Sequence, residues 1–211
     1  MDPTIEIEPL EIPSPIGAEP PESLAGKMKA ILLHPKSFFE ALPSDEKPSL
    51  SLSVAIVAGT IGMAGLIFWD GLFDWLFSNG SLAEALGLWV VIGLLLIGGL
   101  LFPLFVILYQ ILLSLFYHLS LRIFGAAGGS FRRTFTVLAY SQAPFILGTI
   151  PIIGGNIGMI WSLVILVKGL KVVHHLSTGR TVLAVILPVL LFLLPLVFFG
   201  VGLLPEAVEE P

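Results

Sequence analysis

From Ser23 to Leu42, apolar residues return at helical spacing. Leu24, Met28, Ile31, Leu32, Phe38, Phe39 and Leu42 form a stripe that leaves Lys27, Lys29 and Lys36 off it, the signature of an amphipathic helix. Pro35 starts a second helical segment or kinks a single one. With polar flanks and a length of about 20 residues, the segment suits a helix in a headgroup layer or one that caps a bundle. Past Pro48 this pattern gives way to long apolar runs. Crossing a ~30 Å hydrocarbon core takes ~20 helical residues, which places spans near 51–70, 86–121, 134–152, 154–174 and 181–204. The second run has no charge between Glu84 and Arg122, and as one straight helix it would reach roughly 50 Å or more. It is either a single kinked helix or a hairpin turned at Gly98, Gly99 and Pro103.

Composition moves the chain further from water. AVILMFWYC residues make up 56% of its 211 positions before the 22 glycines are added, against roughly 45–50% with glycine included in soluble domains. Charged residues are 12%, and 13 of the 25 fall before residue 48, so a charged surface for a globule of this size is lacking. The fold class expected is therefore all-α: a polytopic bundle of five transmembrane helices preceded by an amphipathic helix. Residues 1–22 hold six prolines, six acids and no Lys or Arg, a composition that cannot bury enough apolar surface to order itself. The domains expected are a disordered acidic tail (1–22), a cytosolic amphipathic segment (23–47), the membrane domain (48–204) and a short acidic tail (205–211). The net charge of -5 arises largely in the first tail and gives no basic domain for nucleic acid. With no cysteine, disulfides, thiolate metal sites and a cysteine nucleophile are excluded. The opening residues have neither the basic nor the apolar region of a cleavable signal peptide.

The cations set the orientation. With five spans and the N-terminus in the cytoplasm, inside segments hold Lys27, Lys29, Lys36 and Lys47, then Arg122, Arg132 and Arg133, then Lys168, Lys171 and Arg180, which is all ten. The outside segments hold Asp70, Asp74, Glu84, Glu206, Glu209 and Glu210 and no Lys or Arg, the partition that the positive-inside rule favours. A six-span arrangement would put six of the ten cations outside. The C-terminus is thus expected outside.

Three stretches carry a resemblance. His118-Leu119-Ser120-Leu121-Arg122-Ile123-Phe124-Gly125, then Gly128-Gly129-Ser130-Phe131-Arg132-Arg133-Thr134, then Tyr140-Ser141-Gln142-Ala143-Pro144 resemble the Yip1 membrane-protein family in its prokaryotic form. Pro35-Lys36-Ser37-Phe38-Phe39, Trp161, Lys168-Gly169-Leu170 and His175-Leu176-Ser177 fit the same pattern, over roughly residues 30–200. The resemblance implies a five-span helical domain with a cytosolic N-terminus, in a prokaryotic plasma membrane. Eukaryotic members bind prenylated Rab GTPases and act in vesicle trafficking and membrane shaping. Rab binding is not carried over to the prokaryotic form, and the family offers no catalytic motif to match.

Read residue by residue, Arg132 and Arg133 open a helix, where the macrodipole disfavours cations, so they either mark topology or address a phosphate or a carboxylate. Lys168, Lys171 and His175 share a face of the fourth span and, with Arg180, suggest an anionic-lipid patch. Gln110, Ser114, His118 and Arg122 follow at i+4 on the second span, a polar stripe that should face the bundle or a wet cavity rather than lipid. Tyr140 and Ser141 lie one to two turns into the third span, ahead of Pro144, where interhelical hydrogen bonds around a proline kink are expected. Ala55, Ala58, Gly59 and Gly62, and separately Gly154 with Gly158, give close-approach faces, which also allow a homo-oligomer.

Gly-x-x-x-x-Gly-Lys, His-Glu-x-x-His and Gly-x-Ser-x-Gly motifs are missing, and no cofactor, metal site or catalytic residue is expected. The function expected is that of a noncatalytic multi-pass interaction or membrane-organising protein. Its partners would be the bilayer, anionic lipids, and a membrane or cytosolic protein of unspecified identity. The alternative is a small channel or transporter that uses the polar stripe.

Overall fold

The computed structural model describes residues 23–77, 88–126 and 129–202; both tails lie outside them. The described chain is helical. Two short helices, α1 (Leu24–Leu33) and α2 (Pro35–Glu40), precede the long α3 (Pro48–Phe77) and α4 (Leu88–Ile123). Then come α5 (Phe131–Ser141), a 3-10 segment (Ala143–Thr149), α6 (Gly154–Val173) and α7 (Thr178–Gly202). Among the described residues, three stretches are long and apolar enough to cross a membrane: Pro48–Phe73, Leu101–Ile123 and Gly154–Val173. A shorter apolar stretch, Thr178–Leu191, belongs to α7.

The second predicted span is one helix. Its 36 residues enclose Pro103 and run roughly 54 Å. Leu101, Leu104, Phe105, Leu108, Ile111, Leu112, Leu115 and Leu119 are exposed along it. Such a row is a liability in water and ordinary against acyl chains.

The third predicted span departs from the expectation of a kinked helix. Helix α5 stops after 11 residues and the chain continues as a 3-10 segment. The sequence of α5, Phe-Arg-Arg-Thr-Phe-Thr-Val-Leu-Ala-Tyr-Ser, is less apolar than those of α3, α4, α6 and α7, and the structure shows why this is tolerated: every residue from Thr134 to Ser141 is buried, enclosed by protein. A break in the helix is affordable there because neighbouring groups take up the freed backbone polarity. Ser141 Oγ donates to the Leu138 carbonyl at 2.7 Å, and the Gln142 amide N–H donates to the Ala139 carbonyl at 3.2 Å.

Glycines let the 3-10 segment sit between α3 and α6. A Cβ built on Gly62 would lie 1.9 Å from the Phe145 carbonyl oxygen, one on Gly148 would lie 2.5 Å from the Gly62 carbonyl oxygen, and one on Gly158 would lie 2.7 Å from the Pro144 carbonyl oxygen. The small-residue faces read from the sequence are therefore occupied within the chain. Trp69 Nε1 closes the same end of the bundle with a 2.9 Å bond to the Thr149 carbonyl.

Helices α1 and α2 pack back along the bundle. Phe38 and Phe39 are buried, the Phe38 ring meets the Tyr140 ring edge-on at 5.0 Å, and a Cβ on Gly169 would strike the Phe39 ring at 2.7 Å. Trp161 Nε1 donates to the Leu32 carbonyl at 3.0 Å. Trp161 lies 12 residues before Val173, the last residue of α6, or roughly 18 Å down that helix. The segment thus packs against protein and reaches past the middle of α6.

Candidate functional site

The polar stripe of α4 faces inward, as its i+4 spacing predicts. Gln110 and Ser114 are fully buried and His118 nearly so, whereas Arg122 is exposed at the helix end. The stripe meets α5. Gln110 Nε2 donates to the Phe135 carbonyl at 3.2 Å, and Gln142 Nε2 donates to Gln110 Oε1. His118 Nδ1 is 3.0 Å from Thr134 Oγ1, whose other side meets His174 Nε2 at 3.0 Å. The Thr134 hydroxyl has one proton and two lone pairs, so it can donate to one imidazole while accepting from the other. The Ser114 hydroxyl and His174 Nδ1 are buried without a hydrogen-bond partner. A Cβ on Gly129 would lie 2.0 Å from His174 Nδ1, so the loop backbone covers that nitrogen. No group of three or more His, Cys, Asp or Glu that suits a metal occurs among the described residues.

A second polar cluster ties the N-terminal helices to α5. Lys27 Nζ reaches Glu46 Oε1 at 2.9 Å with both side chains about nine-tenths buried, and the Tyr140 phenol donates to the same oxygen at 2.5 Å. Arg132 holds the loop in place from above, its guanidinium donating to the carbonyls of Asp45 at 2.5 Å and Glu46 at 2.6 Å. Tyr140, placed by the sequence with intramembrane polar groups, is a partner of this loop carboxylate.

Glu46 and Arg132 of the second cluster also line a cavity of about 610 Å³ at the basic end of the bundle. Lys36, Arg132, Arg133, Lys171 and His175 stand around it, with Phe39, Leu42, Val172, Val173 and Leu176 as apolar wall. His175 reaches this position because α6 ends abruptly. His175 takes a positive φ of 53°, and the Leu176 N–H returns to the Lys171 carbonyl at 3.2 Å, the closure usually given to glycine. The four basic residues singled out from sequence are thus divided. Arg132, Arg133 and Lys171 share the cavity, whereas Lys168 is exposed elsewhere on α6 with Nζ 5.6 Å from the Trp161 ring centroid. Arg180 does not line the cavity either; it lies beside the turn at Gly125.

This geometry accompanies a family match. The Yip1 domain model covers residues 29–199. The chain belongs to the Yip1 domain family. Comparison with curated proteins and with solved structures gives no match.

Within this Yip1 domain, the motif residues quoted for the resemblance carry the internal contacts. His118 and Thr134 bond to each other, Arg132 clamps the loop, and Tyr140 meets Glu46. Sequence reasoning missed Glu46, Lys27, Thr134 and His174 as partners. For Thr134 the available signal was its position at the start of a span that also carries Tyr140 and Ser141. For Glu46, one of three acids among the cations of residues 27–47, no local signal set it apart from Glu40 and Asp45.

Proposed function

We propose that this Yip1 domain is a noncatalytic membrane-embedded interaction or membrane-organising protein. Its basic end lies in the cytoplasm and serves as the contact surface. The chain crosses the membrane five times in this reading, with α5 and the 3-10 segment together as the third crossing. Eleven α-helical residues and seven 3-10 residues rise about 16 and 14 Å, close to one hydrocarbon thickness. A prokaryotic plasma membrane is the setting that fits the form of the motifs.

The observation that carries the reading is the docking of α1 and α2. Their burial against α5 and α6 turns what would be a loose surface helix into part of a fixed platform with a basic cavity. Against a conduction path along the polar stripe stand the bonds of Gln110 and His118 to α5. The apolar helices support the membrane position, and the location of the cations supports the proposed sidedness.

Photo-crosslinking from Lys171 in native membranes tests this. Discrete, reproducible protein neighbours are expected there and not from Leu108, which faces outward on α4. Arg133→Glu should remove those neighbours while insertion is retained. Solute flux through proteoliposomes that Gln110→Leu abolishes would overturn the reading in favour of a channel.

A further inference from the structure

Several charges around the basic cavity are already committed. Glu40 pairs with Lys36 at 3.5 Å on the exposed rim. Glu46 is held by Lys27 and Tyr140, and Arg132 donates to two loop carbonyls. Asp45 does not line the cavity. That leaves Arg133 and Lys171 facing the cavity with no acidic partner among the described residues. They come from different elements, the start of α5 and the end of α6, so the fold brings two uncompensated cations to one opening.

The wall beneath them is apolar. Phe39, Leu42, Val172, Val173 and Leu176 give a surface that a small hydrated anion does not need and that a molecule with both a charged and an apolar part can use. The cavity also sits where apolar helix α6 ends, at Val173, which is the level of the phosphate layer if that helix crosses the bilayer. We propose that Arg133 and Lys171 clasp the phosphate of an anionic phospholipid, whose glycerol region lies on the Phe39–Leu42 wall. The proposal rests on the reading of the basic end as a membrane-surface platform. It names a lipid as that platform's resident ligand.

The test uses native mass spectrometry of the full chain in detergent. Phosphatidylglycerol and phosphatidylcholine with the same acyl chains are titrated separately, and inorganic phosphate serves as the free-anion arm. One phosphatidylglycerol retained in preference to phosphatidylcholine is expected. Arg133→Gln and Lys171→Gln should each weaken retention about fivefold, the effect of one surface cation on an anionic lipid, while Lys168→Gln leaves it unchanged. Arg133→Lys should keep most of the preference, which separates lost charge from lost folding. Equal retention of the two lipids, or indifference to both Gln variants, overturns the proposal. Inorganic phosphate that binds with the same Arg133 and Lys171 dependence, without any lipid preference, overturns the lipid as the source. Loss of lipid preference with protein capture intact defeats this inference alone, whereas loss of capture with lipid preference intact defeats the interaction reading.

Discussion

The Tyr140 phenol and the Lys27 ammonium meet on a single oxygen, Glu46 Oε1, at 2.5 and 2.9 Å. Three separate parts of the chain are joined there: α1, the loop before α3, and the buried helix α5. A carboxylate taken this far from water is costly alone, and so is an ammonium. Each is tolerated because the other is present, and the phenol satisfies a further lone pair.

Removing one member should therefore cost more than removing the pair. Glu46→Gln strands a buried Lys27 and is expected to lose on the order of 3–5 kcal/mol of stability. Tyr140→Phe should lose about 1–3 kcal/mol, because the donor goes while the charge pair stays. The double replacement Lys27→Met with Glu46→Leu should recover most of the Glu46→Gln loss. Thermal unfolding in one detergent, followed by intrinsic fluorescence, ranks the three.

Close backbone approach at Gly62 makes a sharper prediction. A methyl there meets the Phe145 carbonyl oxygen, which is backbone and cannot swing aside. Gly62→Ala should cost about 1–3 kcal/mol or more through overpacking. At Gly71, inside α3, nothing lies within 4 Å of the added atom, so Gly71→Ala should not lower the melting temperature. A similar loss at both positions would contradict the packing of the 3-10 segment against α3.

Thr134 supplies the one hydroxyl between His118 and His174. Thr134→Val keeps the shape and leaves both ring nitrogens unsatisfied, at about 1–3 kcal/mol for each buried group. Thr134→Ser should retain most of the stability. If Thr134→Val instead leaves stability unchanged and opens a proton leak in vesicles, the stripe is a conduction path and not a packed seam.

Arg132 and Arg133 are neighbours with separable roles. Arg132→Gln should expose the loop at residues 43–47 to protease, because the guanidinium that holds its carbonyls is gone. Arg133→Gln should leave cleavage as it was. Equal sensitivity of the two variants would show that general charge, and not the Arg132 clamp, keeps the loop in place.

Much of the fold is legible in local spacing. The i+4 placement of Gln110, Ser114 and His118 predicts one inward face, and the structure buries all three. The distribution of apolar residues likewise identifies long membrane-crossing helices. What spacing does not carry is partnership between distant segments. Glu46 and Tyr140 are 94 residues apart, and Thr134 and His174 are 40 apart, so nothing local links them. The break after Ser141 was hidden for a different reason: Pro144 signals a disturbance, but the close seat of the 3-10 segment that follows depends on Gly62 and Gly158 on two other helices. For Lys168 and Lys171, three-residue spacing implies a shared face, yet a cation over Trp161 and a cation at the cavity are drawn to different neighbours.

The account depends most on the fold-back of the N-terminal helices, and the unmodified chain offers a direct reading of it. An apolar carbodiimide joins an amine and a carboxylate only when they already touch. Treatment of native membranes followed by peptide mass spectrometry should reveal an amide between Lys27 and Glu46. Finding Glu46 converted to its N-acylurea and Lys27 unmodified, with no Lys27–Glu46 link, would contradict the docked arrangement and the basic cavity built upon it.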